Sequence, residues 1–373
     1  MKYLKLEEIA NLDMGKTPAR NNLEYWNGNN TWVSISDLKD KYISESKEKI
    51  TDKAISDTKI KEVPENTLII SFKLSIGKKA ITTKKLYTNE AIMALKIKDK
   101  NELDVEYLYY ALEKVDLIRY TDKAAKGKTL NKEKLKKIEI PICDMYKQKK
   151  IVESLNKVKM IISKQREQLE LLENLKKSQF FEMFGNPIKN EKDWEKVKLS
   201  DVAKIIMGQS PPSSSYNEKG IGMPFYQGNV DFGEKYPKIK KYTDKITKIA
   251  NENTILMSVR APVGELNITK IECCIGRGLC SIKINGELNL EYLFYYLKNI
   301  MINIKKVEKG STFKSINRKE IENIEVLLPP LELQNKFATK IEAIQKLKFE
   351  IEKSLKETEN LYNSLMQKFF SNK

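Results

Sequence analysis

The sequence contains one unit twice, and this internal duplication constrains the fold more than any other feature. The segment LKLEEIANLDMGKTP, which begins at Leu4, matches VKLSDVAKIIMGQSP, which begins at Val197. Three further matches follow in the same order, and they begin at Glu65 and Glu252, at Glu102 and Glu287, and at Lys126 and Lys309. The spacing between equivalent residues falls from 193 at the first match to 183 at the last and is 186 at the end of the repeat, so the copies differ by a few loop residues. Ordered self-similarity of this kind predicts two domains with one fold.

Each copy has the pattern of a mixed α+β globule of about 140 residues. Its early part contains short strand-like runs, such as TLIISF and TILMSV, separated by Gly, Pro and Asn. Later in each copy, VEYLYYALEKVDLIRY and LEYLFYYLKNIMINI carry apolar residues at helical spacing. The predicted fold class is therefore α+β, with two tandem globules of mixed sheet and helices related by a pseudo-two-fold internal repeat.

A long polar segment without Pro or Gly follows each globule, over residues 148–184 and 334–370. As a helix, each segment would be roughly 55 Å long. Apolar residues recur on both at steps of three and four, which is the stripe of a coiled coil. The stripes consist of Ile151, Leu155, Val158, Ile162, Leu169, Leu172 and Met183 in the first segment, and of Phe337, Ile341, Ile344, Ile351, Leu355, Tyr362, Leu365 and Phe369 in the second.

Polar residues interrupt the two stripes at complementary places. An antiparallel pairing puts Gln165 near Leu355 and Lys348 near Leu172, which favours an intramolecular antiparallel coiled coil. The alternatives are that each helix packs on its own globule or forms a coil with a second chain. Gly185-Asn186-Pro187 ends the first helix. The predicted organisation is a first globule over 1–147, a first long helix over 148–184, a linker over 185–193, a second globule over 194–333 and a second long helix over 334–373.

The charge balance favours a polyanionic partner. The chain has 68 Lys and Arg against 51 Asp and Glu, a net charge of +17, and each neutralised phosphate releases a condensed counterion. A genome-wide Lys bias is the alternative explanation of this excess. No stretch approaches the ~18 apolar residues needed to cross a membrane, and the N-terminal segment lacks a signal-peptide core. We therefore expect a cytoplasmic protein without membrane contact.

The sequence lacks the residue patterns of the enzyme classes considered. It contains no His, and its four cysteines, Cys143, Cys273, Cys274 and Cys280, are expected to be buried small hydrophobes rather than disulfide or zinc ligands. The fragment Asn186-Pro187-Ile188-Lys189 lacks the second Pro and the aromatic residue of an adenine methyltransferase motif. Gly15-Lys16-Thr17 is not a phosphate-binding loop, because Ala10 stands where the first Gly is required. These observations predict a binding protein without a cofactor of its own.

The order globule–helix–globule–helix resembles the specificity subunit of Type I restriction-modification systems. The most specific matching segments are EIANLDMGKTP, DVAKIIMGQSPPSSSYN, PFYQGNVDFG from Pro224, SVRAPVGELNI from Ser258, CIGRGLCSI from Cys274, LLPPLELQNKFATKI from Leu327 and NLKKSQFFEMFGNP from Asn174. The first copy departs more from the family, because WVSISDL stands where the second has PFYQGNVD, and SFKLSIGKKAI replaces SVRAPVG.

The resemblance implies a role for each part. Each globule would be a target recognition domain for one half of a split, asymmetric site on double-stranded DNA. The helix pair would fix the gap between half-sites, about one to one and a half DNA turns for roughly 55 Å, and would dock two methyltransferase subunits, with Phe180 and Phe181 among the contacts. Adenine N6 methylation, S-adenosylmethionine and ATP would belong to the partners, and a restriction subunit would join at unmodified sites. The competing hypothesis is a two-headed coiled-coil adaptor without DNA binding. A stand-alone methylating enzyme is rejected because the sequence lacks the methyltransferase motifs.

Polar residues on loops are the candidate DNA contacts. Arg pairs with guanine, and Gln or Asn with adenine; a turn-forming or loop-bridging role is the alternative for each. In the second copy the candidates are Gln209, Ser210, Ser213, Gln227, Asn229, Arg260 and Arg277. In the first copy they are Lys16, Thr17, Ser36, Lys73 and Lys78, where the lysines suit phosphates better than bases. Lys128 and Lys314, beside Gly-containing turns, are further phosphate candidates.

Overall fold

The computed structural model describes residues 2–124, 127–307 and 315–370. The chain divides into two compact units. The first unit is Met1–Arg166 with Ser354–Lys373, and the second is Glu167–Lys353. Each unit therefore contains one copy of the repeat together with parts of both long helices.

The first unit contains twelve strands and four short helices within the described residues. Its strands are β1 (Lys2–Lys5), β2 (Ala10–Met14), β3 (Trp26–Val33), β4 (Tyr42–Ile43), β5 (Glu48–Ile50), β6 (Leu68–Ser71), β7 (Lys79–Thr82), β8 (Tyr87–Thr88), β9 (Ile92–Ile97), β10 (Asp122–Ala124), β11 (Gly127–Thr129) and β12 (Glu139–Ile142). Its short helices are α1 (Leu6–Ile9), α2 (Asp52–Thr58), α3 (Val105–Lys114) and α4 (Lys132–Lys136). The first long helix, α5, spans Met145–Phe184.

The described residues of the second unit follow a similar order, with eleven strands. Its strands are β13 (Glu195–Lys198), β14 (Ala203–Met207), β15 (Tyr216–Asn217), β16 (Met223–Tyr226), β17 (Lys241–Thr243), β18 (Ile249–Ala250), β19 (Thr254–Ser258), β20 (Leu266–Thr269), β21 (Cys273–Ile275), β22 (Leu279–Ile284) and β23 (Glu325–Leu328). Its helices are α6 (Leu199–Val202), α7 (Leu290–Val307) and α8 (Arg318–Glu322), and the second long helix, α9 (Leu331–Phe370), begins in this unit.

The two units share one sheet topology. The main sheet runs β2-β9-β6-β7-β4 in the first unit and β14-β22-β19-β20 in the second. Beside it, β3 pairs with β8 and β16 pairs with β21, and both pairs are parallel. The first and last strands of each copy, β1 with β12 and β13 with β23, close a small antiparallel ribbon. The structure thus confirms the predicted repeat of an α+β globule.

Each long helix begins three residues before the predicted position. Asp144 caps α5 by accepting from the N–H of Lys147 at 2.9 Å, and a buried glutamine holds the first turn of each helix. Gln148 and Gln334 are fully buried. Gln148 donates to the carbonyl of Glu102 at 2.8 Å and accepts from the N–H of Asp104 at 3.0 Å. In the second unit, Gln334 accepts from the N–H of Asn289 at 2.7 Å. The same clamp joins the start of α5 to α3 and the start of α9 to α7.

Within each unit, α5 and α9 pair antiparallel, as predicted. In the first unit Lys159 lies 5.1 Å from the Tyr362 ring, and Gln165 donates to Ser354 at 2.9 Å. These contacts place Gln165 beside Leu355, its predicted neighbour.

In the second unit Lys348 contacts the residue next to Leu172, also as predicted. It donates to Glu173 at 2.9 Å, and Lys340 donates to Gln179 at 2.5 Å. Burial alone would raise the pKa of Glu173, but hydrogen bonds from Lys176 and Lys348 outweigh it and lower that pKa to about 2. The lysines that interrupt the apolar stripes are therefore paired with a carboxylate. Gln165 is a neutral amide, which donates to Ser354 while its oxygen is buried without a hydrogen-bond partner.

The aromatic ends of the long helices complete the cores of the globules. Phe184 lies 4.6 Å from Tyr292 between ring centroids, and Phe370 lies 5.3 Å from Tyr107. The expectation that Phe180 forms part of a partner contact is wrong: its side chain is fully buried, stacked on Tyr292 at 6.1 Å. Phe181 is 40% exposed.

Two further features bear on the sequence-based expectations. None of the helices in the described part of the chain has the length and apolar character that crossing a bilayer requires. All four cysteines are unpaired, and three are buried. Burial raises the pKa of both Cys273 and Cys280 to about 12, so their thiols are protonated and pack as apolar groups.

Replacing the aromatic side chain at the end of α9 should destabilise the first unit selectively. Phe370→Ala removes a buried ring from the contact with Tyr107 and should cost about 3 kcal/mol. Hydrogen exchange should accelerate in α3 and remain unchanged in α7. Phe349→Ala, at a 64% exposed position of the same helix, is the control and should change stability by less than ~0.5 kcal/mol. Equal acceleration in both units would contradict the assignment of Phe370 to the first core.

Candidate nucleic-acid interface

The first loop of each copy is held by the same main-chain hydrogen bonds. In the first unit, Gly15 N–H donates to Ile92 O at 3.1 Å and Lys16 N–H to Thr88 O at 2.8 Å. In the second unit, Gly208 N–H donates to Leu279 O at 2.9 Å and Gln209 N–H to Ile275 O at 3.0 Å. A Cβ on Gly208 would lie 2.2 Å from the carbonyl oxygen of Gly276. Glycine is therefore required where this loop crosses the neighbouring backbone.

A second loop follows β3 and β16 and is held by an aspartate in both copies. Asp37 accepts from the N–H of Ser34, and Asp231 accepts from the N–H of Gln227, both at 2.8 Å. Each aspartate ends a single 3-10 turn, Ile35–Asp37 or Asn229–Asp231. The sequence comparison had singled out neighbouring residues here but not the aspartates that shape the loop.

A third loop follows β6 and β19. The last residue of each strand is a serine whose hydroxyl accepts a main-chain hydrogen bond from the far side of the loop. Ser71 Oγ accepts from Lys78 N–H at 3.0 Å, and Ser258 Oγ accepts from Glu265 N–H at 2.9 Å. Two residues after the serine stand Lys73 in the first copy and Arg260 in the second. Arg260 is exposed, and its backbone forms an antiparallel bridge with Ser315.

A fourth loop, which precedes β9 and β22, joins the other three. In the second unit Val259 N–H donates to Gly278 O at 2.9 Å, Gly276 N–H to Tyr226 O at 2.8 Å and Arg277 N–H to Ser210 Oγ at 3.1 Å. We call residues 208–213, 227–231, 259–265 and 276–278 the loop surface of the second unit.

The structure brings most candidates of the second copy together on this surface. Gln209, Gln227, Arg260 and Arg277 are exposed. Ser210 and Asn229 are partly buried, and the Ser210 hydroxyl is engaged by the Arg277 backbone. Ser213 lies further along the chain, exposed in the 3-10 turn Ser213–Ser215, and takes no part in the hydrogen bonds that join the loops. Two forked guanidinium groups and two exposed amides can offer bidentate hydrogen bonds to base edges.

The candidates of the first copy are more engaged by the protein. Lys16 Nζ donates to Thr58 O at 2.6 Å, and the Thr17 hydroxyl donates to Glu90. Ser36 shares a 2.8 Å hydrogen bond with Ser34. Lys73 is partly buried, 5.2 Å from the Phe72 ring, whereas Lys78 is exposed.

The two remaining lysine candidates fall at the edges of the described structure. The backbone of Lys128 belongs to β11, and Lys314 lies outside the described residues.

Sequence reasoning missed one prominent group in the first copy. Arg20 forms a two-pronged contact with Glu48, and its guanidinium lies 4.0 Å from the Trp26 ring and 5.0 Å from the Trp32 ring. The hydrogen bonds with Glu48 are the main reason that the pKa of Arg20 is raised. Residues 1–147 contain only two arginines, so an Arg just after the first loop was a usable signal.

Comparison with known proteins gives a consistent family. The family model of the Type I restriction modification DNA specificity domain matches residues 1–173 and 191–359. The MjaX specificity subunit ascribed to a type I restriction enzyme of Methanocaldococcus jannaschii is 38% identical over 289 residues, which cover 70% of this chain and 68% of that protein. The EcoprrI specificity subunit of Escherichia coli is 21% identical over 90% of this chain and 85% of its own.

Solved structures share the fold along the whole chain. A chain from a type I R-M system, studied for its complex assembly and conformational transition, has a TM-score of 0.63 at 24% identity, covering 99% of this chain and 97% of that one. The Type-I restriction-modification S subunit from M. genitalium has a TM-score of 0.62 at 16% identity, covering 100% and 96%.

A side chain at Gly208 should disrupt the loop surface. In Gly208→Ala the added Cβ would lie 2.2 Å from the Gly276 carbonyl oxygen, so the two backbone segments must move apart. The free energy of unfolding of the second unit should fall by about 1–3 kcal/mol. Gly228→Ala is the matched control, because nothing lies within 4 Å of its Cβ position. Urea denaturation compares the two. A Gly208→Ala protein as stable as the Gly228→Ala protein would contradict the crossing described here.

Proposed function

The chain belongs to the Type I restriction-modification DNA specificity family, and from this premise we propose that it reads a bipartite, asymmetric DNA sequence and positions its partner subunits there. It is a non-catalytic subunit that works in a restriction-modification complex with DNA and methyltransferase. We also propose which residues touch DNA, how many methyltransferase copies bind and where in the cell the complex acts.

The observation that carries the proposal is that one loop framework is built twice with different exposed side chains. Main-chain hydrogen bonds at Gly15 and Gly208, and side-chain bonds of Asp37 and Asp231, hold equivalent loops in both units. The side chains presented by these loops differ between the copies. Such a framework suits reading two different half-sites, whereas an adaptor without DNA binding gives no reason for it.

In the second unit the loop surface offers groups for direct base reading in the major groove. Arg260 and Arg277 suit the O6 and N7 acceptors of guanine, and Gln209 and Gln227 suit the N6 and N7 of adenine. Ser210, Ser213 and Asn229 supply shorter polar contacts. In the first unit Lys16, Lys73 and Lys78 suit phosphates, as do Lys128 and Lys314, while Thr17 and Ser36 lie beside them.

Two methyltransferase copies are supported by a pair of exposed apolar residues in each unit. Ile161 and Leu361 in the first unit are 44% and 50% exposed, and Leu175 and Leu347 in the second are 42% and 51% exposed. Ile161 and Leu347 occupy equivalent repeat positions, as do Leu175 and Leu361. The antiparallel register brings the members of each pair to neighbouring positions on α5 and α9. Each pair can bury apolar surface against one partner copy.

The chemistry would reside in the partners. A methyltransferase with S-adenosylmethionine would flip an adenine out of each half-site for N6 methylation, and an ATP-dependent restriction subunit would join at unmodified sites. The complex would act in the cytoplasm, where the DNA lies.

The test is to co-express the chain with its methyltransferase and map methylated adenines by single-molecule sequencing. We expect a bipartite motif with a fixed gap, absent when the chain is omitted. Arg260→Ala should weaken binding by about 1–3 kcal/mol and relax one base position in the second half-site only. Arg318→Ala, which removes the same charge from α8, is the control. Methylation at one contiguous motif, or methylation that does not need the chain, would favour the adaptor.

Polar substitution of one exposed pair should remove one methyltransferase copy. Leu175→Ser with Leu347→Ser deletes two apolar contacts, each contributing about 1.5–3 kcal/mol when buried. Native mass spectrometry should then detect one methyltransferase per chain instead of two. Phe349→Ser is the control, because Phe349 is exposed but its repeat equivalent is Ser163. Retention of two copies in the double variant would exclude this surface.

A further inference from the structure

The loop that precedes β9 in the first unit and the loop that precedes β22 in the second carry opposite charges at one equivalent position, Glu90 and Arg277. Each residue immediately precedes a residue whose carbonyl accepts a hydrogen bond from the first residue after β6 or β19. These bonds are Phe72 N–H to Ala91 O at 3.0 Å and Val259 N–H to Gly278 O at 2.9 Å. The two side chains therefore leave the framework at the same point, and both are exposed.

The loop around each residue is also contacted by the same first loop. The Thr17 hydroxyl donates to Glu90 Oε2, and the equivalent Ser210 hydroxyl accepts from the N–H of Arg277. The contact with Thr17 uses one carboxylate oxygen and orients the group. Glu48 binds Arg20 through both carboxylate oxygens, and the charge of Glu90 makes a smaller contribution to the raised pKa of Arg20.

A carboxylate on a surface that meets DNA is repelled by the phosphates, and a hydrogen bond accepted from a base offsets part of that cost. Exocyclic amino groups, cytosine N4 and adenine N6, are the donors in the major groove, and Glu is suited to accept from them. Arg277, in contrast, can only donate and suits guanine.

We propose that Glu90 is a specificity-determining residue that accepts a hydrogen bond from an exocyclic amino group in the first half-site. The two globules then read opposite hydrogen-bond polarity from one position of a shared framework. This inference rests on the proposed function.

Methylation mapping of Glu90→Ala and Glu90→Gln tests the inference. Glu90→Ala should make one position of the first half-site degenerate, with about a tenfold to hundredfold loss of preference there, and leave the second half-site unchanged. Glu90→Gln keeps an acceptor for Thr17 and pairs bidentately with adenine. It should retain the motif if adenine N6 is read and shift that position towards adenine if cytosine N4 is read. Glu65→Ala, at an exposed carboxylate before β6, is the control and should keep the motif.

Three results would overturn the inference. The first is an unchanged motif in Glu90→Ala, and the second is relaxation in the second half-site. The third is a uniform loss of methylation accompanied by a lower melting temperature, which would mean that Glu90 only supports the fold. Failure of the proposed function is distinguishable from these, because the wild-type chain would then give no chain-dependent bipartite motif.

Discussion

The structure depends on the exchange of helix ends between the two copies of the repeat. Helix α5 starts in the first unit, where Gln148 clamps it, and ends in the second, where Phe184 packs on Tyr292. Helix α9 starts in the second unit and ends in the first, where Phe370 packs on Tyr107. Each core is thus completed by the helix that follows the other copy. Neither copy has its full core without its partner, which explains why the unit occurs in tandem.

The polar interruptions of the coiled coil set the register of this exchange. Lys348 lies on the apolar stripe, and its ammonium pairs with Glu173 and Glu234. A slip of one turn would separate that charge from Glu173 and Glu234 and leave it only the longer contact with Glu352 on its own helix, and weakening the pairing of a partly buried charge is costly. Apolar residues alone would tolerate several registers. The charged contacts select one register.

The loop framework separates stability from specificity. Its hydrogen bonds are made by main-chain groups and by a few short side chains, Asp37 and Ser71 in one copy and Asp231 and Ser258 in the other. Exposed side chains such as those of Arg260 and Gln227 contribute little to this network. Surface substitutions of that kind usually change stability by less than ~0.5 kcal/mol. A duplicated chain can therefore acquire two different recognition surfaces on one fold.

The sequence was informative where a property repeats along the chain and silent where it depends on distant pairing. Periodicity and duplication sufficed to predict the α+β copies and the antiparallel helices, down to the neighbours of Gln165 and Lys348. Burial of Phe180 could not be predicted, because the residues that cover it, Tyr292 and Phe337, lie over a hundred positions away. Arg20 and Glu90 were missed for the same reason, since each is placed by a partner in another loop. Base recognition by such loops is a property of folded neighbours, so half-sites follow from structure and not from any linear pattern.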